Sequence, residues 1–222
     1  MRLAKAILAK GFILLTALLL AGNRRPPDEQ INSYTLTQVE KQQLEEGDFI
    51  LRRGHGLVSN WIVHYLDQTY DVSHIGVLVR EDKRWQVISA LSSAVADFDG
   101  MQKASLDAFT DQSHRNKLMV SRLGAPKNIR SQIANQANKY LEQKTPFDHH
   151  FDHSDPSAFY CTELPWHIIQ DLEADVSFKK GQLKDRIYLL FSTFWDPNHF
   201  KVVLNHFKRG EARSTATSSV AF

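Results

Sequence analysis

Cysteine is almost absent from this chain: Cys161 is the only one in 222 residues, so no disulfide can form within it. Reactivity or a small apolar volume must then account for the thiol. A dominant charge is missing as well. With 27 basic and 25 acidic side chains the net charge is +2, and no long basic run lies outside the termini, which argues against nucleic acid as a partner. No internal repeat is visible, and the only long uncharged apolar run is Gly11 to Gly22. A 42% apolar content suffices for one hydrophobic core of a medium domain and excludes disorder for the bulk of the chain.

Arg2, Lys5 and Lys10 precede that apolar run, which fits the basic and hydrophobic regions of a secretory signal. Apolar residues fill every face from Phe12 to Ala21, which disfavours a buried amphipathic helix. The run ends Leu20-Ala21-Gly22, but position 23 is Asn23 where a lipidated cysteine would stand, so lipid anchoring is excluded. A cleaved signal or an uncleaved anchor remains, and either places the following domain outside the cytoplasm, periplasmic or facing outward from the inner membrane. The expected organisation is a signal or anchor with linker over residues 1–27, one domain over 28–210, and a loose tail over 211–222. Membrane association would run through the N-terminal segment. The oligomeric state is left open.

Within the domain, Leu36 to Glu45 has the spacing of a short helix ending near Gly47, and Asp48 to Arg53 is strand-like. Leu57 to Gln68 places Leu57, Trp61, His64 and Tyr65 on one helical side, with His64 read as a half-buried core residue. Ser73 to Arg80 reads as a strand: Ile75, Val77 and Val79 share one face, and His74, Gly76 and Leu78 the other. Arg80-Glu81-Asp82-Lys83 then turns the chain into a second strand, Trp85 to Leu91, and Lys117 to Leu123 supplies a third. Pro126 opens an amphipathic helix of about four turns carried by Ile129, Ile133, Ala137, Tyr140 and Leu141. A further helix follows Cys161 through Leu172, and Ile187 to Phe207 gives two short core elements split at Asp196-Pro197-Asn198.

Cys161 stands in Phe159-Tyr160-Cys161-Thr162-Glu163-Leu164, at the start of that helix. Single-cysteine chains commonly just bury the thiol, but a helix N-terminus offers free N–H groups and the positive end of the helix dipole, which favour thiolate. Cys161 is therefore placed to be ionised, and the same N–H groups can receive an oxyanion once a carbonyl is attacked. An imidazole on a neighbouring strand would complete an ion pair and later protonate a leaving group; among ten histidines, His74 is the best placed. Asp148-His149-His150-Phe151-Asp152-His153 packs five metal-capable side chains into six positions. No matching ligand pair occurs elsewhere, so no metal is expected; a pH-sensitive loop is the intermediate reading.

The segments Leu44-Glu45-Glu46-Gly47-Asp48-Phe49-Ile50, Ser73-His74-Ile75-Gly76-Val77-Leu78-Val79, Thr145-Pro146-Phe147-Asp148 and Phe159-Tyr160-Cys161-Thr162-Glu163-Leu164 together resemble the YiiX/YaeF-like group of circularly permuted NlpC-type, papain-like cysteine hydrolases. Their order carries the resemblance, because the histidine strand precedes the cysteine helix, the reverse of ordinary papain-like enzymes. The likeness extends over residues 44 to 205 and implies an α+β fold with an antiparallel sheet flanked by helices. It also implies Cys161 as nucleophile, His74 as general base and acid, and Tyr160 beside the oxyanion region. A third polar residue is implied on the next strand, where the family commonly has an acidic residue before alanine. Here Val87-Ile88-Ser89-Ala90 puts Ser89 in that place. Serine can accept the imidazole N–H without offsetting a positive charge, so the Cys–His ion pair should be weak unless another group such as Gln86 assists. The activity implied is cleavage of an amide or ester, in a cell-wall peptide or a lipid-linked acyl group, through an acyl-enzyme and with no cofactor. Small-molecule, peptide or lipid substrates all fit. A lipid acyltransferase of the same fold and an inactive envelope binding module are the alternatives.

Overall fold

The computed structural model describes residues 34–183 and 186–207. The expected signal segment and the tail from 211 lie outside the described residues. Among these residues no helix is long and apolar enough to cross a membrane. The chain runs α1 (Gln38–Lys41), β1 (Phe49–Gly54), α2 (Gly56–Leu66), β2 (His74–Glu81), β3 (Arg84–Leu91), β4 (Gly100–Ser105), α3 (Leu106–Asp111), β5 (Ser113–Leu123), α4 (Lys127–Glu142), α5 (Glu163–Asp171), β6 (Lys180–Leu183), β7 (Arg186–Leu189), a 3-10 turn (Phe191–Trp195) and β8 (Phe200–Asn205).

Six strands form one antiparallel sheet in the order β4-β3-β2-β1-β5-β8, and β6 and β7 pair as a separate hairpin. Alternation sorts its side chains. Phe49, Leu51, Ile75, Val77, Ile88 and Met119 point to one face, where α4 brings Ile133, Ala134 and Ala137, α5 brings Leu164, Ile168 and Ile169, and the 3-10 turn brings Phe191 and Phe194. Ile50, Leu78, Val87, Leu118 and Val120 point to the other, beneath Leu36, Leu44, Leu106 and Phe109. Burial on both faces is why β2 is apolar at nearly every position rather than at every second one.

Gly47 holds φ +84°, and a Cβ there would stand 2.0 Å from the Arg130 carbonyl oxygen, so α4 can cross the entrance to β1 only over a glycine. Asp48, fully buried beside it, accepts from Arg122 through both carboxylate oxygens at 2.7 and 2.8 Å and from the Glu45 N–H at 2.8 Å. Glu45 in turn pairs with Arg122 and Arg130. The Glu45-Glu46-Gly47-Asp48 segment is therefore a satisfied ionic corner that fixes how β1 enters the sheet.

Two expectations change. The first helix is only one turn long, Gln38–Lys41, held by a capping box between Thr37 and Glu40. On α2 the side that carries Trp61 faces outward: His64 is exposed, Leu57 and Trp61 keep 79% and 47% of their surface, and Val63 alone is buried. Helical periodicity marks an apolar stripe without saying whether protein covers it.

Candidate functional site

Cys161 lies in the turn that leads into α5, one residue before the cap residue Thr162. Glu163 N–H donates to the Tyr160 carbonyl at 3.0 Å and closes that turn. Leu189 on β7 clamps it from both sides: its N–H donates to the Tyr160 hydroxyl at 3.0 Å, and its carbonyl accepts from Thr162 Oγ1 at 3.1 Å. Behind the turn, Glu163 Oε2 accepts the Tyr160 N–H at 2.8 Å, while its other oxygen is buried without a partner. Burial first, then Asp148, Asp152 and Asp155, push the Glu163 carboxyl up to about 8, so it is mostly protonated at neutral pH.

The ionised thiol expected from the helix start is corrected by the packing. Backbone N–H groups of Ile75, Thr162 and Cys161 itself favour the thiolate, but burial outweighs them and pushes the Cys161 thiol up to about 12. Cys161 as a residue is half-buried and lines a cavity wall, with its sulfur densely surrounded. A short α5 cannot offset that desolvation.

His74 is the first residue of β2, and its Nε2 lies 3.1 Å from Ser89 Oγ on β3. Gly76 makes room for this pair: a Cβ there would meet Val87 Cγ1 at 2.5 Å and the Ser89 Cβ at 3.3 Å. Gln86, three residues before Ser89, points to the opposite face of β3 and so cannot share its role. Burial, and then the Arg52 charge, hold the imidazole well below its usual range. Both ends of the expected ion pair are thus neutral at rest.

Arg52 is the residue that sequence reading missed. It is the register partner of His74 across β1 and β2, only 6% exposed, and no carboxylate pairs with it among the described residues. Its guanidinium lies 4.6 Å from the centre of the Phe109 ring and donates through Nη1 to the Gln112 carbonyl at 2.5 Å and through Nη2 to Gln112 Oε1 at 3.0 Å. Nε has no partner. In the sequence it is one of two adjacent arginines before a glycine, and nothing there tells which of them is covered.

Two cavities meet at the thiol. One of about 260 Å³ has mixed walls, with Arg52, Ser73, His74, Gln112 and Cys161 beside apolar residues such as Ile62 and Leu91. An apolar one of about 490 Å³ is lined by Leu57, Trp61, Ile62, Leu66, Tyr188 and Phe191, and Cys161 and Tyr160 stand on its wall. Cys161 and His74 therefore open onto the same space, Ser89 reaches it through His74, and Tyr160 supports the thiol turn from the apolar side.

Asp148, His149 and Asp152 of the acidic, histidine-rich segment are engaged in loop contacts. Asp148 is buried and accepts from the N–H groups of His150 and Asp152, both at 2.6 Å, and His149 pairs with Asp99. Among the described residues no three His, Cys, Asp or Glu side chains gather as a metal site.

A six-stranded antiparallel sheet with helices packed on it, and a cysteine turn lying near the start of an interior histidine strand, give an α+β fold of the YiiX type. It matches a solved structure of the metalloprotein YiiX from Escherichia coli O157:H7, DUF1105, with a TM-score of 0.60 and 20% sequence identity, covering 73% of this chain and 98% of that one. No family model matches the sequence. No curated protein matches it either.

Proposed function

We propose that this protein is an exported thiol hydrolase of the permuted papain-like class that cleaves an amide or ester through an acyl-enzyme on Cys161. The observation that carries the reading is the His74–Ser89 contact on the same cavity as a half-buried Cys161 whose sulfur is ringed by backbone N–H groups. With Nε2 directed at Ser89, Nδ1 is the nitrogen left to act on the thiol or the substrate. Because thiol and imidazole rest neutral, the proton leaves sulfur as sulfur attacks, and His74 acts as general base in that step. The C–S bond forms, the carbonyl oxygen takes up charge beside the N–H groups, and the C–N or C–O bond breaks as His74 returns the proton to the leaving group. Water then attacks the thioester with His74 again as base, releasing a carboxylic acid and restoring the thiol.

Arg52 opposes imidazolium, and burial opposes ionisation of the thiol; both favour an inactive binding module as the second reading. Incubation with p-nitrophenyl alkanoates, followed by intact mass, separates the two. The expected result is an acyl adduct on wild-type protein that is absent in Cys161→Ala and strongly reduced in His74→Ala. Equal adduct in all three would end the hydrolase reading. Export, proposed from residues 1–22, is tested by cell fractionation, with a full-length cytoplasmic pool as the contrary result.

A further inference from the structure

The thiol stands between two chambers of unlike lining, and the one with mixed polar and apolar walls contains a buried cation with no counter-charge. A guanidinium that is 6% exposed is costly to keep without an acid beside it, and Gln112 and Phe109 supply only neutral partners. Gln112 accepts from both terminal nitrogens, and Nε, itself buried, has no partner, so part of the donor capacity of this cavity-lining guanidinium is unused. Guanidinium N–H donors match the oxygens of a carboxylate or phosphate. On the other side of Cys161, Leu57, Trp61, Ile62, Leu66 and Phe191 offer no charged group to a ligand.

We propose that the substrate joins an apolar acyl group, seated between α2 and the β7 region, through an amide or ester to a leaving group bearing an anionic oxo group that pairs with Arg52. This rests on the hydrolase reading and names its substrate class. The scissile carbonyl then falls at the boundary between the chambers, where the sulfur is. An N-acyl amino acid and an acylated phosphate ester both satisfy the chemistry. The acyl end is chosen by size and apolarity, and the leaving end by charge.

Binding is tested without turnover, in the full chain carrying Cys161→Ala, by calorimetry. Three ligands share one decanoyl chain: N-decanoylglycine, N-decanoylethanolamine phosphate and the neutral N-decanoylglycinamide. At least one anion should bind at least tenfold more tightly than the glycinamide, and which one it is identifies the anion. Adding Arg52→Gln should remove the preference and leave glycinamide affinity within about twofold, whereas Arg52→Lys should retain part of it. Trp61→Ala, at an exposed position on the cavity wall, should weaken all three ligands together. Glycinamide binding as tightly as both anions would overturn the proposal without any Arg52 variant, so a failure of Arg52→Gln to fold does not shelter it. An unchanged preference in a folded Arg52→Gln chain would overturn it too. Acyl adduct formation on the wild-type thiol is read separately, so loss of the anion preference would leave the hydrolase reading standing.

Discussion

Two buried polar clusters sit at opposite ends of β1, and they are built on opposite principles. At the entrance, Asp48 has a partner on each oxygen, and Arg122, Glu45 and Arg130 close the network. At the exit, Arg52 is as well covered but has only Gln112 and a ring face, and the imidazole next to it is held neutral. Cations matched by carboxylates hold one geometry, even with Arg130 Nε left without a partner, while a cation with no carboxylate leaves binding capacity unused. The contrast separates a structural corner from a site without any appeal to relatives.

The largest expected effect breaks the chemistry alone. Cys161→Ala should lower hydrolysis by about 10³-fold or more while the melting temperature stays within a few degrees. Activity assay and thermal melt on the same sample check this. Next comes the entrance cluster. Asp48→Asn removes one member of a buried, bidentate pair and should cost about 3–5 kcal/mol in denaturant unfolding. Arg52→Met at the other end should cost about 1 kcal/mol or less, since an unpaired buried charge departs with its hydrogen bonds. Equal losses at both ends would erase the distinction drawn above.

Much of this was legible in the sequence, and what was not has identifiable causes. Alternation at Ile75, Val77 and Val79 and the turn at Asp82-Lys83 gave β2 and β3, and the spacing of Ile133, Ala137 and Tyr140 gave α4. The β4 strand escaped because Gly100–Ser105 is an edge strand whose outer half is half-exposed and polar, with no apolar stripe to detect. Cys161 and His74 could be singled out by residue type and position, and Ser89 only through the family resemblance. Their protonation could not, because it depends on how densely other segments pack around the sulfur and on which arginine of Arg52-Arg53 turns inward. Arg53 pairs with Asp71 and Asn60, so its neighbour in sequence has the opposite fate.

Ser89→Ala sharpens the comparison at smaller scale. It removes one neutral hydrogen bond from the exit cluster and should cost about 1 kcal/mol, with hydrolysis falling about tenfold as the imidazole loses its fixed orientation. An unchanged rate in the folded variant would show that Ser89 does not orient His74.

The smallest effect is a slope. Glu163, raised from 4.5 to about 8, binds a proton more readily in the folded chain, so stability should decline as pH rises from 4.5 to 8, by at most about 1.4 kcal/mol per pH unit. His74 is shifted downward and acts in the other sense: the unfolded chain gains the proton first as pH falls below about 6.5, so stability drops on acidification. Between pH 6.5 and 8 only the Glu163 slope operates of these two. Glu163→Gln, which keeps an acceptor for the Tyr160 N–H, should flatten it in urea titrations at several pH values. A slope identical to wild type would mean that Glu163 does not titrate in that range.

The clamp on Leu189 also sets when the thiol becomes protected. The β2–β3 hairpin can close early from neighbouring residues, whereas β1–β5, β5–β8 and the seating of β7 against the Tyr160–Thr162 turn join segments far apart in the chain. During refolding Cys161 therefore stays open to solvent until those distant pieces meet, and it is the chain's only sulfhydryl. A pulse of alkylating reagent delivered at successive times after dilution from denaturant would read that stage of assembly directly, one atom reporting the moment at which the start of β2 and the β7 region close on the cysteine turn.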